Sequence, residues 1–186
     1  PAPLFDFLRS RGDDYRVAAV DAVYGTNFDM VYGVSSAVGY DFPLRRAAGL
    51  LAAVTNGSDG VTILSEKLGT GSRAILDLAS VRYLVTTTDN SGADRVSRLP
   101  GMSVVFRDGA TRVFENANAL ARAHFVPLAA ARVVAVESEQ LKAVLAHGFD
   151  AKNEVIVGAS MPGGTPVRSV RPLLSKVLEF RQGINF

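Results

Sequence analysis

The segment that most constrains the fold is residues 112–126, where two strand-like stretches flank an irregular polar connection. Arg112-Val113-Phe114 alternates as a strand does and ends at Glu115-Asn116, and Phe125-Val126 begins a second apolar stretch. The connection places two Asn, an Arg and a His between these apolar flanks. We call residues 115–123 the joint. Such a joint is either a corner held by its own hydrogen bonds or a surface that binds something.

The remaining hydrophobic patterns predict short helices mixed with short strands. Helical spacing predicts helices at residues 4–8, from an Asp41 cap to about residue 54, at 72–78, and from a Ser138 cap to 145. Strands are predicted at residues 15–20, 81–87, 102–106, 111–114, 125–127, 132–136 and 153–157, with Asp108-Gly109 turning a hairpin. Residues 21–40 and 89–95 indicate loops, the first with one helical turn. The predicted class is α/β, a mixed β-sheet with short helices packed against it.

The composition of the chain changes after residue 157. We predict one α/β domain at residues 1–157, then a linker and a terminal strand at residues 158–186, with Met161-Pro162-Gly163-Gly164 typical of a linker. Residues 175–182 alternate as one strand. This strand is either the first of a truncated β-rich domain or an edge strand of the main sheet. Because the chain opens without Met and stops just after this strand, we expect it to be part of a longer protein.

Composition excludes several classes of function. The 186 residues carry a formal net charge of +2 and no block of Lys and Arg, so a nucleic-acid partner is not indicated. The chain has no Cys, which excludes disulfides, thiolate catalysis and Cys-type zinc sites. The longest apolar stretch, residues 47–54, is far shorter than the roughly 20 residues of a membrane span. No signal peptide is visible at the start.

Four segments of the sequence match a known family in order and spacing. They are Asp14-Tyr15-Arg16-Val17 after a short helix, then Asn27 with Tyr32-Gly33 and Gly39-Tyr40-Asp41-Phe42-Pro43-Leu44, then Leu76-Asp77-Leu78-Ala79-Ser80-Val81-Arg82-Tyr83-Leu84-Val85, and the joint. On these segments the chain resembles the extracytoplasmic part of the YfhO-type bacterial membrane proteins, relatives of the GT-C glycosyltransferases. The resemblance covers roughly residues 4 to 157. It departs at Ala117 and Ala121, where the family usually has Pro, and at the inserted Phe42.

The resemblance implies a role within a larger membrane protein. Family members are multi-spanning proteins thought to move a sugar from a lipid-linked donor onto a cell-surface polymer. This chain would then be a noncatalytic domain on the extracytoplasmic face of a bacterial membrane, and it would position the acceptor or a partner. Its expected partners are the rest of the parent protein and, through it, a cell-surface glycan or lipid-linked sugar; no cofactor is expected. The alternative is a stand-alone soluble binding or interaction module.

Three arginines in or beside strands need partners, since a buried guanidinium is costly unless it is paired. Glu115, Asp77 and Asp41 are the predicted acids, and Asn116 and Asn118 are expected to bond loop backbone. One interpretation is a network that pins the joint to the sheet. The other is a groove for the polyol or phosphate groups of a glycan. The candidate binding residues are Arg16, Arg82, Glu115, Asn116, Asn118, Arg122, Tyr40 and Asp41.

Other motifs have a functional and a structural interpretation. Tyr24, Tyr32 and Tyr40 suit either a sugar-stacking platform or core packing. Gly69-Thr70-Gly71-Ser72 suits a phosphate cradle or a plain helix entry, and it lacks the Lys of a P-loop. The two His residues, His124 and His147, are far apart, and no metal site is predicted from them. The loop acids Asp13, Asp14 and Asp89 lack a second carboxyl in a matching apolar setting, so no catalytic residue is predicted.

Overall fold

The computed structural model describes residues 2–12, 14–25, 27–39, 45–55, 62–89, 91–146 and 148–158. Its centre is a four-stranded mixed sheet in the order β1-β2-β4-β3. The strands are β1 (Arg16–Ala19), β2 (Val81–Thr87), β3 (Met102–Asp108) and β4 (Thr111–Asn116). β1 and β2 are parallel, and β4 runs antiparallel to both β2 and β3. The predicted α/β class with a mixed sheet is therefore confirmed.

The two faces of the sheet bury different helices. α1 (Ala2–Arg9) places Leu4, Phe5 and Leu8 against alternate strand residues such as Tyr83, Val85 and Val113. α3 (Arg45–Leu51), α4 (Arg73–Leu78) and α5 (Gly92–Ser97) contribute to the core on the opposite face with Leu84 and Phe114. Because successive strand residues point to opposite faces, β2 and β4 supply both cores.

A small βαβ unit follows the main sheet. β5 (Ala131–Val133) and β6 (Val155–Val157) pair in parallel, and α6 (Glu137–Leu145) connects them. α6 meets α3 through Glu137, which bonds Arg45 at 2.6 Å and Arg46 at 3.1 Å. The connecting segments contain one helical turn, α2 (Phe28–Val31), and the 3₁₀ turns Ser65–Lys67, Thr70–Ser72 and Leu128–Ala130. None of the helices within the described ranges is long and apolar enough to cross a bilayer.

Several predicted elements were wrong. The expected strand at residues 125–127 is not one: Phe125 is 85% exposed, and Pro127 has no N–H to donate to a sheet. Residues 92–97 form α5 rather than a loop, and this helix buries Val96. α6 begins at Glu137 after Val136, with no side-chain cap, so the Ser138 cap was also wrong. The Asp41 cap and the linker and strand from residue 159 onward lie outside the described residues.

Candidate functional site

The strand-borne candidate residues meet at one end of the sheet. Arg16 begins β1, Arg82 is the second residue of β2, and Glu115 and Asn116 end β4. Because β4 runs against β1 and β2, its carboxyl end lies beside their amino ends. We call this end the joint edge. Tyr40 and Asp41 lie outside the described residues.

Arg82 and Glu115 form the first group at the joint edge. The Nη2 and Nε atoms of Arg82 lie 2.8 and 2.9 Å from Oε1 of Glu115, and both side chains are about three-quarters buried. The guanidinium carbon of Arg82 also lies 4.3 Å from the ring centroid of Tyr15. The β1–β2 register shifts at this point: Arg16 lies opposite Val81 and Val17 lies opposite Tyr83, so Arg82 is an extra residue in β2. This irregularity interrupts the alternation of faces, and Arg82 reaches the carboxylate of Glu115, the residue opposite Tyr83. The expected arginine–acid pair is confirmed here.

Asn116 organises the second group. Its side chain is fully buried, and Nδ2 donates to Oδ1 of Asp77 at 2.6 Å and to the Val81 carbonyl at 3.2 Å. Its Oδ1 accepts the backbone N–H of Asn118 at 3.0 Å, and Leu120 N–H donates to the Asp77 carbonyl at 3.1 Å. The joint is therefore a corner held by internal hydrogen bonds, as the structural interpretation predicted.

Asp77 was expected to pair with a strand arginine, but it pairs with a helix arginine instead. Its Oδ2 lies 3.7 Å from Nε of Arg73, one turn earlier on α4. That buried Nε has no hydrogen-bond partner within the described part of the chain. The contact is therefore an ion pair without a hydrogen bond.

Arg16 and Arg122 form the third group. Nη1 of Arg16 donates to the Ala79 carbonyl at 3.0 Å, and no carboxylate of the described ranges lies within 4.0 Å of this guanidinium. Nη1 of Arg122 donates to Oγ of Ser35 at 3.3 Å. Burial, and then the positive charge of Arg122, lowers the pKa of Arg16 from its ordinary value. The expected acid partner of Arg16 is therefore absent from the described residues.

A small polar pocket of about 220 Å³ lies beside the joint. α4 contributes Arg73 and Asp77, and the joint contributes Asn118. The turn before β6 contributes the other polar and aromatic lining residues, Phe149, Asp150 and Lys152. Sequence reasoning missed these three and Arg73. The spacing of Arg73 and Asp77 on one helix was an available signal, whereas nothing local ties the turn at residues 149–152 to the joint.

The remaining motifs have structural roles where the structure describes them. Tyr24 and Tyr32 pack on Phe5, with ring centroids 5.5 and 4.2 Å away. Burial, followed by the charge of Asp29, raises the pKa of Tyr24. The hydroxyl of Ser72 accepts the Gly69 N–H at 2.8 Å and donates to the Gly69 carbonyl at 2.6 Å, which closes a helix entry.

The histidine and loop-acid candidates do not assemble into a site in the described part of the chain. The ring Nε2 of His124 lies 3.2 Å from the Ala151 carbonyl. His147 and Asp13 lie outside the described residues. Among residues that the structure does describe, no three His, Asp or Glu side chains form a group that could hold a metal ion.

The joint edge offers hydrogen-bond donors and acceptors at its pocket and positive charge at its arginines. Arg73 and Asn118 can donate, Asp77 can accept, and Phe149 offers an aromatic side chain to an apolar ligand face. This set suits a small ligand that carries hydroxyl or anionic groups. Comparison of the chain with protein-family models, curated proteins and solved structures found no match.

Proposed function

We propose that this chain is a noncatalytic extracytoplasmic domain of a multi-spanning membrane protein resembling the YfhO-type relatives of GT-C glycosyltransferases. In this role it positions the acceptor polymer or a partner of the parent protein. One observation carries the proposal: three segments behind the resemblance, residues 14–17, 76–85 and the joint, are far apart in sequence but contact one another at the joint edge. Segments that meet in this way can act as one binding surface.

The polar pocket is the part of this surface best suited to a glycan. Its volume of about 220 Å³ equals roughly seven waters at about 30 Å³ each, which suits a single sugar unit. Charged and amide groups of Arg73, Asp77 and Asn118 match ring hydroxyls, while the Phe149 ring suits the apolar face of a pyranose. We therefore assign the acceptor contact to this pocket.

Ligand titration tests the assignment. Oligosaccharides and teichoic-acid fragments would be added to labelled protein, and amide chemical shifts would be followed for wild type, Phe149→Ala and Arg122→Ala. Phe125→Ala is the matched control, because Phe125 is 85% exposed and is not part of the pocket lining. We expect saturable shifts around residues 73–77 and 118, which Phe149→Ala weakens and Phe125→Ala leaves unchanged.

Two outcomes would count against the glycan assignment. The first is the absence of saturable shifts with any fragment at millimolar concentration. The second is equal affinity of folded wild type and Phe149→Ala. Arg122→Ala tests whether the interaction extends along the joint edge, since Arg122 bonds Ser35 rather than lining the pocket. An unchanged affinity for that variant would confine the ligand to the pocket.

The membrane assignment needs a separate test. The complete gene product would be expressed with a tag and fractionated, and its sequence would be searched for hydrophobic spans of about 20 residues beside this segment. Recovery in the membrane fraction, with several spans, would support the domain role. A soluble product without spans would contradict it and favour an independent binding module.

A further inference from the structure

An apolar groove of about 470 Å³ borders the joint edge. Its walls come from α2 and the segment that follows it, from α3, from the end of α4 and from the start of β1. Most lining side chains are apolar, and they include Met30, Val38, Ala48, Leu50 and Leu78. Arg16 is the charged residue of the described lining. We call this cavity the Arg16 groove.

The charge of Arg16 is only partly compensated. One of its five N–H donors bonds the Ala79 carbonyl at the end of α4, and no carboxylate of the described residues lies within 4.0 Å. A helix-terminal carbonyl offers partial negative charge at best. A half-buried cation in such surroundings gains free energy when an anion binds it.

We propose that the Arg16 groove binds a medium-chain fatty carboxylate, with the head group on the guanidinium of Arg16 and the alkyl chain along the apolar wall. Arg forms planar, bidentate hydrogen bonds with a carboxylate. A single guanidinium in the lining favours a monoanionic head over a dianionic one. The groove of about 470 Å³ has room for an alkyl chain of about ten carbons, and its mostly apolar lining suits such a chain better than a sugar.

This inference does not depend on the proposed function. Of the described lining residues, the Arg16 groove and the polar pocket share Leu78 alone, and no residue changed to test one of them lines the other. Met30 is 66% exposed at the groove, and burying such a side chain under an alkyl chain is favourable. The combination of an apolar wall and one cation points to an amphiphile rather than to a fully polar ligand.

Calorimetric titration with decanoate, below its micelle concentration, tests the proposal. Decanol has the same chain without the charge, and acetate has the head group without the chain. We expect saturable binding of decanoate, at least about tenfold weaker binding of decanol, and no measurable binding of acetate. Arg16→Gln removes the positive charge but keeps side-chain N–H donors, and it should lose at least about tenfold in decanoate affinity. Arg98→Gln, at an exposed arginine outside the groove lining, is the matched control and should bind as wild type does.

Ala48→Leu provides a second variant that leaves Arg16 in place and fills part of the groove. Weaker decanoate binding to this variant would support the proposal even if Arg16→Gln failed to fold. The proposal is overturned if decanoate shows no saturable binding, if decanol binds as tightly, or if both folded variants match wild type. Tighter binding of decyl phosphate or of a peptide carboxyl terminus than of decanoate would overturn the assignment to a fatty carboxylate.

Discussion

Replacing Asn116 by Ala should destabilise the domain more than most single substitutions do. The change removes three hydrogen bonds: to the Asp77 carboxylate at 2.6 Å, to the Val81 carbonyl at 3.2 Å and from the Asn118 N–H at 3.0 Å. A bond to a charged group contributes about 1.5–3 kcal/mol, and a neutral one contributes about 1 kcal/mol. We therefore expect the free energy of unfolding to fall by about 3–5 kcal/mol.

Urea denaturation at pH 7, followed by circular dichroism and linear extrapolation, measures this loss. Asn153→Ala is the matched control, because Asn153 also donates to an aspartate, Asp150, at 2.7 Å, but does so in solvent. Exposed pairs contribute little, so this control should unfold nearly as wild type does. A loss below about 1 kcal/mol for Asn116→Ala, or equal losses for the two variants, would refute the view that Asn116 holds the joint.

Asn116→Asp separates the hydrogen bonds from the packing, since it keeps the shape of the side chain. It replaces the donor facing Asp77 with a carboxylate, and two carboxylates at this distance repel each other. The penalty should be largest at pH 7 and should shrink as the pH falls and protonation removes the repulsion. A penalty that does not change between pH 7 and pH 4 would show that charge repulsion is not its cause.

Three further predictions concern other parts of the fold. Gly101→Ala should lower the free energy of unfolding in urea more than Gly109→Ala does. Both glycines have a positive φ, +79° and +51°. A Cβ at residue 101 would overlap the Asn118 side chain, whereas a Cβ at residue 109 would meet open space. Phe5→Ala should lose about 3–5 kcal/mol in the same assay, because its ring is 1% exposed. Hydrogen bonds from Arg45 and then Arg46 lower the pKa of Glu137. The stability that these bonds contribute should therefore be lost as the pH falls through the lowered pKa of Glu137. Arg45→Gln should raise that pKa in an NMR titration.

Local patterns predicted the central elements well. The bounds of β2, Val81–Thr87, match the strand pattern, because a run rich in Val, Tyr and Thr at the centre of a sheet has high strand propensity. The Asp108-Gly109 signal located the β3–β4 hairpin, although Asp108 still pairs with Thr111 and the two turn residues are Gly109, with a φ of +51°, and Ala110. In both places the local preference and the tertiary packing agree.

The wrong predictions for residues 125–127 and for α5 have a common cause. Residues 125–127 have strand propensity, but Phe125 lies 85% exposed in a stretch that pairs with no described strand. The large apolar side chain that α5 buries is that of Val96, and one such residue gives too weak a periodic pattern to predict a helix. The helix forms because the sheet provides a surface on which it packs. Propensity alone could not place either segment, because contacts with distant residues decide each one.

The sequence also could not predict which acid each arginine of the joint edge contacts. All three arginines had the same expected acids, yet Arg82 obtains Glu115 because β2 lies directly beside β4. Arg16 begins β1, two strand spacings of about 4.8 Å each from β4, so the same carboxylate is out of its reach. Strand order therefore decides that Arg82 forms an ion pair, whereas Arg16 lines an apolar groove.

The sequence by itself determined the α/β class, most of the strands and the polar character of the joint, because these depend on the periodicity and chemistry of neighbouring residues. Only the tertiary structure decided that Asn116 bonds Asp77, that the turn at residues 149–152 completes a polar pocket, and that Arg16 borders a groove. These features join residues tens of positions apart. Strand order and helix packing set which of them meet, and no local pattern specifies either.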